Sequence, residues 1–401
     1  MYNIREITKD LYWVGGNDRK TSLFENIHPI PEGVSYNSYL LLDKKTVLLD
    51  TVDWSVCNNL IKNIEYLLEE RPLDYLVINH MEPDHAASIG EVVARYPNIK
   101  IIGNKKTFDF MKQFGYEVNE NIIEVKDGDT ISFGEHELSF IFAPMVHWPE
   151  TMATFDTTNG VLFSADAFGT FGALNGRLFN DEVDFEREFL EPARRYYSNI
   201  VGKYGPQVQN LLKKAKKLDI KYICPLHGPV WRTNIDYFID KYDKWSSYEP
   251  EEKGVLIVYG SMYGNTEAAA EDIARRLVEK GMSNISLYDA SRTHVSYLVS
   301  DAFKYSHIIL ASSTYNLNIY TPVENFIKDM KHANLQKRTL GIIYNGTWAP
   351  RAGKLMVDAV SEMKEMNILE GHVQIDSSMK EENISQMESL ADSIIESMKS
   401  N

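Results

Sequence analysis

The chain has 401 residues, 44% of them hydrophobic and 25% charged, with a formal net charge of −15. That length exceeds what one hydrophobic core organises, so two or three domains are expected, and the composition excludes wholesale disorder. The acidic excess repels phosphate backbones and anionic lipid, which argues against nucleic acid and membrane surfaces as partners. Met1-Tyr2-Asn3-Ile4-Arg5-Glu6 lacks the basic and apolar runs of a signal peptide, and no apolar stretch approaches bilayer length, so a cytoplasmic protein is expected. Cys57 and Cys224 are the only cysteines. They offer neither a disulfide framework nor four thiolates, so any metal is left to histidine and carboxylate.

From residue 4 to about 245, short apolar runs alternate with turns and a few helices, as in mixed sheets with covering helices. A hairpin is expected from Ser38-Leu42 and Thr46-Thr51 around Asp43-Lys44-Lys45. The run Leu73-Asp74-Tyr75-Leu76-Val77-Ile78-Asn79 reads as a buried strand, and His80-Met81-Glu82-Pro83-Asp84-His85 follows at once. Four potential ligands in six residues at a strand end are costly near a core unless paired or metallated. Three more candidates close other apolar runs: His147 after Leu138-Pro144, Asp166 after Gly160-Ala165 and His227 after Lys221-Pro225. Each alone is readily a hydrogen-bonded core histidine or a solvated acid; their recurrence at four strand ends points to one shared site. His28, His136, His294, His307, His332 and His372 have no such setting and are read as structural or surface residues.

Ser246-Ser247-Tyr248-Glu249-Pro250-Glu251-Glu252-Lys253-Gly254 is polar, holds Pro and Gly and has no periodic apolar face, which reads as a linker between domains at 1–250 and 254–401. Beyond it, apolar strands near 255–260, 285–289, 307–312, 339–344 and 370–375 each precede a helical pattern, predicting an open parallel sheet with helices on both faces and ligands at its carboxyl edge. The first strand-end loop, Ser261-Met262-Tyr263-Gly264-Asn265-Thr266, opens a helix and offers backbone N–H groups and hydroxyls to an anion. It has no Lys or Arg and lacks dinucleotide spacing, so a monophosphate fits better. Ser313-Thr314-Tyr315-Asn316-Leu317-Asn318 and Asn345-Gly346-Thr347-Trp348-Ala349-Pro350 end two further strands, and their polar residues and aromatics could wrap a flat ring.

The segment 254–401 resembles flavodoxin, which implies FMN bound by those loops: by Ser261, Met262, Tyr263, Gly264, Asn265 and Thr266, by Ser313, Thr314, Tyr315, Asn316 and Asn318, and by Asn345, Gly346, Thr347, Trp348 and Ala349. Tyr263 stands where many flavodoxins have Ser or Thr. The first half resembles the metallo-β-lactamase fold, an αββα sandwich whose usual motif is His-x-His-x-Asp-His; here Glu82 replaces the second histidine. Four imidazoles and three carboxylates make a harder, more anionic set than typical zinc sites, which favours iron.

The two motif sets in this order resemble the flavodiiron protein family over nearly the whole chain. That resemblance implies one iron on His80, Glu82 and His147, a second on Asp84, His85 and His227, with Asp166 and a hydroxo or oxo group bridging. Tyr36-Asn37-Ser38-Tyr39-Leu40 and His147-Trp148-Pro149 also look like family features. It further implies reduction of dioxygen to water or of nitric oxide to nitrous oxide, an external donor such as rubredoxin or a rubredoxin reductase system, since no four-cysteine appendage follows, and a head-to-tail homodimer or dimer of dimers. Where many members have Phe-His-Gly, this chain reads Phe24-Glu25-Asn26, which leaves the role of Glu25 open. Two rival readings stand: a dizinc hydrolase with a regulatory flavodoxin-like half, against which Glu82 counts, and an electron-transfer module with a vestigial metal site, against which the full ligand set counts.

Overall fold

A computed structural model describes residues 2–117 and 121–400. The chain divides into two compact units, Met1–Tyr197 with Pro206–Asp243, and Ser198–Gly205 with Lys244–Asn401. In the first, a seven-stranded sheet runs in the spatial order Arg5–Thr8, Leu11–Trp13, Tyr39–Leu42, Thr46–Leu49, Tyr75–Val77, Lys100–Gly103, Ile122–Glu124. The expected hairpin is present, Tyr39 facing Leu49 and Leu42 facing Thr46. Tyr75–Val77 runs parallel between two strands, which explains its continuous apolar run. A five-stranded sheet follows in the order Thr130–Ser132, Glu137–Phe142, Met152–Asp156, Val161–Phe163, Tyr222–Cys224. Trp13, Leu41, Leu49 and Val77 of one sheet join Leu138, Phe140, Met152 and Phe163 of the other in a single core. Helix Cys57–Leu68 buries Cys57, Leu60, Ile61, Ile64 and Leu68, the spacing of one apolar stripe. The unit is a β-sandwich covered by helices, the metallo-β-lactamase-like architecture.

The second unit is a parallel sheet in the order Ile285–Asp289, Glu252–Gly260, Tyr305–Tyr315, Thr339–Asn345, with Asn367–Ile368 and Val373–Ile375 both pairing with Thr339–Asn345. Helices Asn265–Glu279 and Glu381–Ser400 pack over one face, where Ile273 and Leu277 meet Leu390 and Ile394 beside Val255, Ile257 and Ile309. Of the strand expected at 370–375 only Val373–Ile375 forms, and a separate two-residue strand, Asn367–Ile368, precedes it. The segment read as a linker is built into structure instead: Glu252, Lys253 and Gly254 begin the first strand, Tyr248 is buried with its hydroxyl donating to the Gly202 carbonyl, and the Tyr248 carbonyl accepts from the buried Arg338 guanidinium. No helix among the described residues is long and apolar enough to cross a membrane.

Candidate metal centre and strand-end cleft

The sandwich gathers the seven candidate ligands at one end. His80 follows the strand Tyr75–Val77, Asp84 and His85 lie in the short helix Pro83–Ala86, and Glu82 is its N-cap. His147 lies between Glu137–Phe142 and Met152–Asp156, Asp166 follows Val161–Phe163, and His227 follows Tyr222–Cys224. Their donor atoms form two clusters. His80 Nε2 lies 3.2 Å from Glu82 Oε2 and 3.2 Å from Asp166 Oδ2; His147 Nε2 is 2.9 Å and 3.2 Å from the same two oxygens. Asp84 Oδ2 is 3.2 Å from both His85 Nε2 and His227 Nε2, and Asp166 turns its other oxygen, Oδ1, to within 3.2 Å of His85 Nε2 and 3.6 Å of His227 Nε2. One carboxylate therefore reaches both clusters.

Neighbouring donors bonded at about 2.1 Å to one cation, at right angles, lie about 3.0 Å apart, and the separations here cluster round that value. Without cations the arrangement is unfavourable: His85 Nε2 and His227 Nε2 face each other at 3.0 Å, and both side-chain oxygens of Asp84 and Oδ1 of Asp166 are buried with no hydrogen-bond partner. Burial opposes the charge on His80, His85 and His147, yet the neighbouring carboxylates raise His80 well above the ordinary imidazole range, carry His85 to about 10 and His147 to about 9. Burial likewise opposes ionisation of Asp84 and Asp166, but the imidazoles hold both below the usual carboxylate range. All seven donors are imidazole or carboxylate, a set suited to iron.

Several neighbours of this centre lie beyond the seven expected ligands, and of these Asp50 and Tyr196 were not expected from sequence. Asp50, at the end of Thr46–Leu49, accepts from Asn79 N at 2.7 Å and His80 N at 3.2 Å and so pins the ligand loop; burial pushes it up to about 6 against those bonds. Phe24, Tyr36 and Tyr196 wall His227, with ring centroids 5.3, 5.6 and 5.3 Å away. The Tyr196 hydroxyl is buried with no hydrogen-bond partner, and burial, then Asp166, Asp84 and Glu82, hold it well above the ordinary phenol range. Glu25 sits at the tip of a small hairpin formed by Leu23–Phe24 and His28–Pro29. A third of its side chain is accessible; burial first and Glu82 second raise it to about 8. His28, read as structural, stands 3.8 Å from Glu25 in the same hairpin. Among the other histidines, His136 bonds Asp156, His307 bonds Ser306 and Ser397, and His294 caps Val295–Lys304; His332 and His372 are exposed.

In the second unit, the strand ends shape a cleft of about 180 Å³ lined by Ser261, Met262, Tyr263, Asn265, Thr266, Ser313, Thr314, Asn316, Asn345, Gly346, Thr347 and Trp348, all expected there. Leu317 and Ser377 line it too, the latter from the loop after Val373–Ile375, which was not among the three loops expected there although a strand near 370–375 was. Gly264, Tyr315, Asn318 and Ala349 do not line it. Gly264 works through its backbone, which at φ +91° turns the chain into helix Asn265–Glu279 while its N–H donates to Ser261 Oγ at 3.0 Å. Asn318 pairs with Tyr315 in a short antiparallel ladder. The lining holds no Lys or Arg, and Thr266 Oγ1 lies 2.9 Å from Ser313 Oγ, so an anion here meets hydroxyls, amides and a helix start.

Comparison with known proteins agrees with both halves. A family model described as ODP family beta lactamase matches residues 34–228, and the flavodoxin family model matches 257–386. An anaerobic nitric oxide reductase flavorubredoxin of Aliivibrio salmonicida is 31% identical, over 88% of this chain and 72% of its own length. The chain belongs to the flavodiiron protein family of oxidoreductases. Another flavorubredoxin, from Aeromonas hydrophila, is 34% identical over 79% of this chain, which spans only 64% of that relative's length. Among solved structures, rubredoxin oxygen:oxidoreductase of Desulfovibrio gigas aligns with a TM-score of 0.92 at 26% identity over 99% of both chains. The flavodiiron protein of Giardia intestinalis aligns with a TM-score of 0.92 at 25% identity, over 100% of this chain and 98% of its own. Flavodiiron membership implies FMN and a pair of irons, and the residues present fit both: orphaned carboxylate oxygens between two imidazole pairs in one unit, a neutral hydroxyl-lined cleft at a helix start in the other.

Proposed function

We propose that the chain reduces dioxygen to water at the metal pair with electrons passed through FMN, with reduction of nitric oxide to nitrous oxide as the second reading. The observation that carries the proposal is Asp166, whose two oxygens face two separate imidazole and carboxylate clusters. The second reading is favoured by sequence kinship to proteins named as nitric oxide reductases.

In this reading His80, Glu82 and His147 would hold one iron and Asp84, His85 and His227 the other, with Asp166 offering one oxygen to each. When bound, a ferrous pair supplies two electrons and reduced FMN two more, matching the four that dioxygen requires; two nitric oxide molecules require two. The protein's own part is positional. Asp50 pins the loop that carries His80. The rings of Phe24, Tyr36 and Tyr196 keep bulk water from the His227 side, where the Tyr196 O–H is buried with no hydrogen-bond partner among the described residues. Ser261, Thr266, Ser313 and Thr347 would hold the flavin phosphate and ring edges by hydrogen bonds, without a fixed positive charge. Tyr263, 92% exposed, and Trp348, 70% exposed, rim that cleft and suit a surface that meets a partner. That partner is proposed to be reduced rubredoxin as donor, with a second copy of the chain in a head-to-tail dimer.

The test is anaerobic turnover of the iron-loaded, FMN-replete protein with reduced rubredoxin, following dioxygen and nitric oxide with electrodes in parallel assays. Fast dioxygen loss without peroxide is expected. Faster nitric oxide loss would reverse the order of the two readings, and neither activity, with zinc in place of iron, would return the protein to the hydrolase class.

A further inference from the structure

The ring of His80 is held from both ends. Its Nε2 joins the first ligand cluster, while Nδ1, on the far side, lies 2.8 Å from Oε1 of Glu150. That carboxylate is fully buried, its side chain 0% exposed. Oε1 also accepts from Met81 N at 2.9 Å, and Oε2 has no hydrogen-bond partner. The residue is itself fixed in place, since Asn104, the N-cap of helix Lys105–Gln113, donates its amide to the Glu150 carbonyl. In the other ligand cluster the backing is neutral or missing: His227 Nδ1 faces the Ser35 carbonyl at 2.8 Å, and His85 Nδ1 has no hydrogen-bond partner among the described residues.

A buried carboxylate with one oxygen unpartnered is a poor structural element, because a glutamine would make the same bond to Met81 N without a buried charge. The charge makes sense as one end of a carboxylate, imidazole and cation series, in which the carboxylate takes the Nδ1–H, leaves the Nε2 lone pair for the metal and strengthens that lone pair as a donor. Resting on the diiron reading above, we propose that Glu150 is a positioning residue that sets His80 as the stronger imidazole donor, so that the metal on His80, Glu82 and His147 is bound more tightly and is harder to reduce than a neutral backing would make it. Among the described residues no carboxylate hydrogen-bonds Nδ1 of His85 or His227, so the two metal positions are chemically unequal by construction.

The test compares wild type, Glu150→Gln and Glu150→Asp as full-length, FMN-replete chains. Metal-free protein is titrated anaerobically with ferrous iron, and the iron pair is then followed by Mössbauer spectroscopy and redox titration. In Glu150→Gln one of the two irons is expected to bind about 10–100-fold more weakly, with its Mössbauer doublet lost first, the other iron and the FMN content unchanged, and the midpoint of the remaining loaded pair raised. Glu150→Asp keeps the charge and is expected to fall between the two; if Glu150→Gln does not fold, selective weakening of one iron in Glu150→Asp decides the matter. Two irons bound with wild-type affinity and midpoint in Glu150→Gln, or both weakened equally, would overturn the inference. Wild type that binds no iron pair would instead sink the diiron reading itself.

Discussion

The metal centre and the strand-end cleft solve binding in opposite ways. The centre buries its ligands: His80, His85, His227 and Asp166 are at most 1% exposed, and the charges that would hold two cations are already in place. The cleft is open and uncharged, lined by hydroxyls, amides and exposed aromatics. The first therefore depends on its metals for stability as well as chemistry, whereas the second is a finished fold that a flavin occupies.

The sharpest way to break that contrast is Asp84→Asn. Iron is expected to fall from two per chain to one or fewer, and turnover to drop more than about 100-fold, beyond what losing a supporting group costs. FMN absorbance should be unchanged; loss of FMN with iron retained would invert the assignment of the two units. Chelation is expected to lower the unfolding free energy of the first unit by about 4 kcal/mol when free iron had stood near 1,000 times its dissociation constant. Calorimetry with flavin fluorescence separates the two units, and a shift in the flavin-reported transition would count against independent design.

Two buried histidines sharpen the comparison through pH. Burial, then Lys253, lowers His307 in the second unit to about 4. Its contribution is present above about pH 6.5 and lost as pH falls towards 4, a span worth roughly 3 kcal/mol. His136 in the first unit is raised by its bond to Asp156 against burial, so its contribution is full below about pH 6.5 and lost as pH rises through the raised value. His307→Asn should flatten the acid limb of the second unit's stability, and His136→Gln the alkaline limb of the first. The smallest effect expected is that of Gly264→Ala, which places a side chain at φ +91°. The strain of about 1–2 kcal/mol should weaken FMN binding about 5–30-fold in a fluorescence titration, with iron content untouched.

Much of this was legible from residue order because it is local. Strand-end placement of His80, Glu82, Asp84 and His85 follows from one apolar run and the motif after it, and the five apolar runs beyond residue 254 announce a parallel sheet. The strand near 370–375 is legible as well, but not that the loop after it brings Ser377 to the cleft, which is set by the pairing of Val373–Ile375 with Thr339–Asn345. The polar stretch 246–254 reads as a linker, yet Tyr248 is buried there by Arg338, ninety residues away in sequence.

By itself the amino-acid sequence determined the two folds, the seven candidate ligands and the family, because periodicity and close motif spacing are properties of consecutive residues. Only the tertiary structure decided that Asp166 turns one oxygen to each cluster, that Glu25 stands beside Glu82 and that Glu150 backs His80. Each of these is a meeting of residues about 20 to 80 positions apart, and such meetings are set by how strands pair and sheets pack.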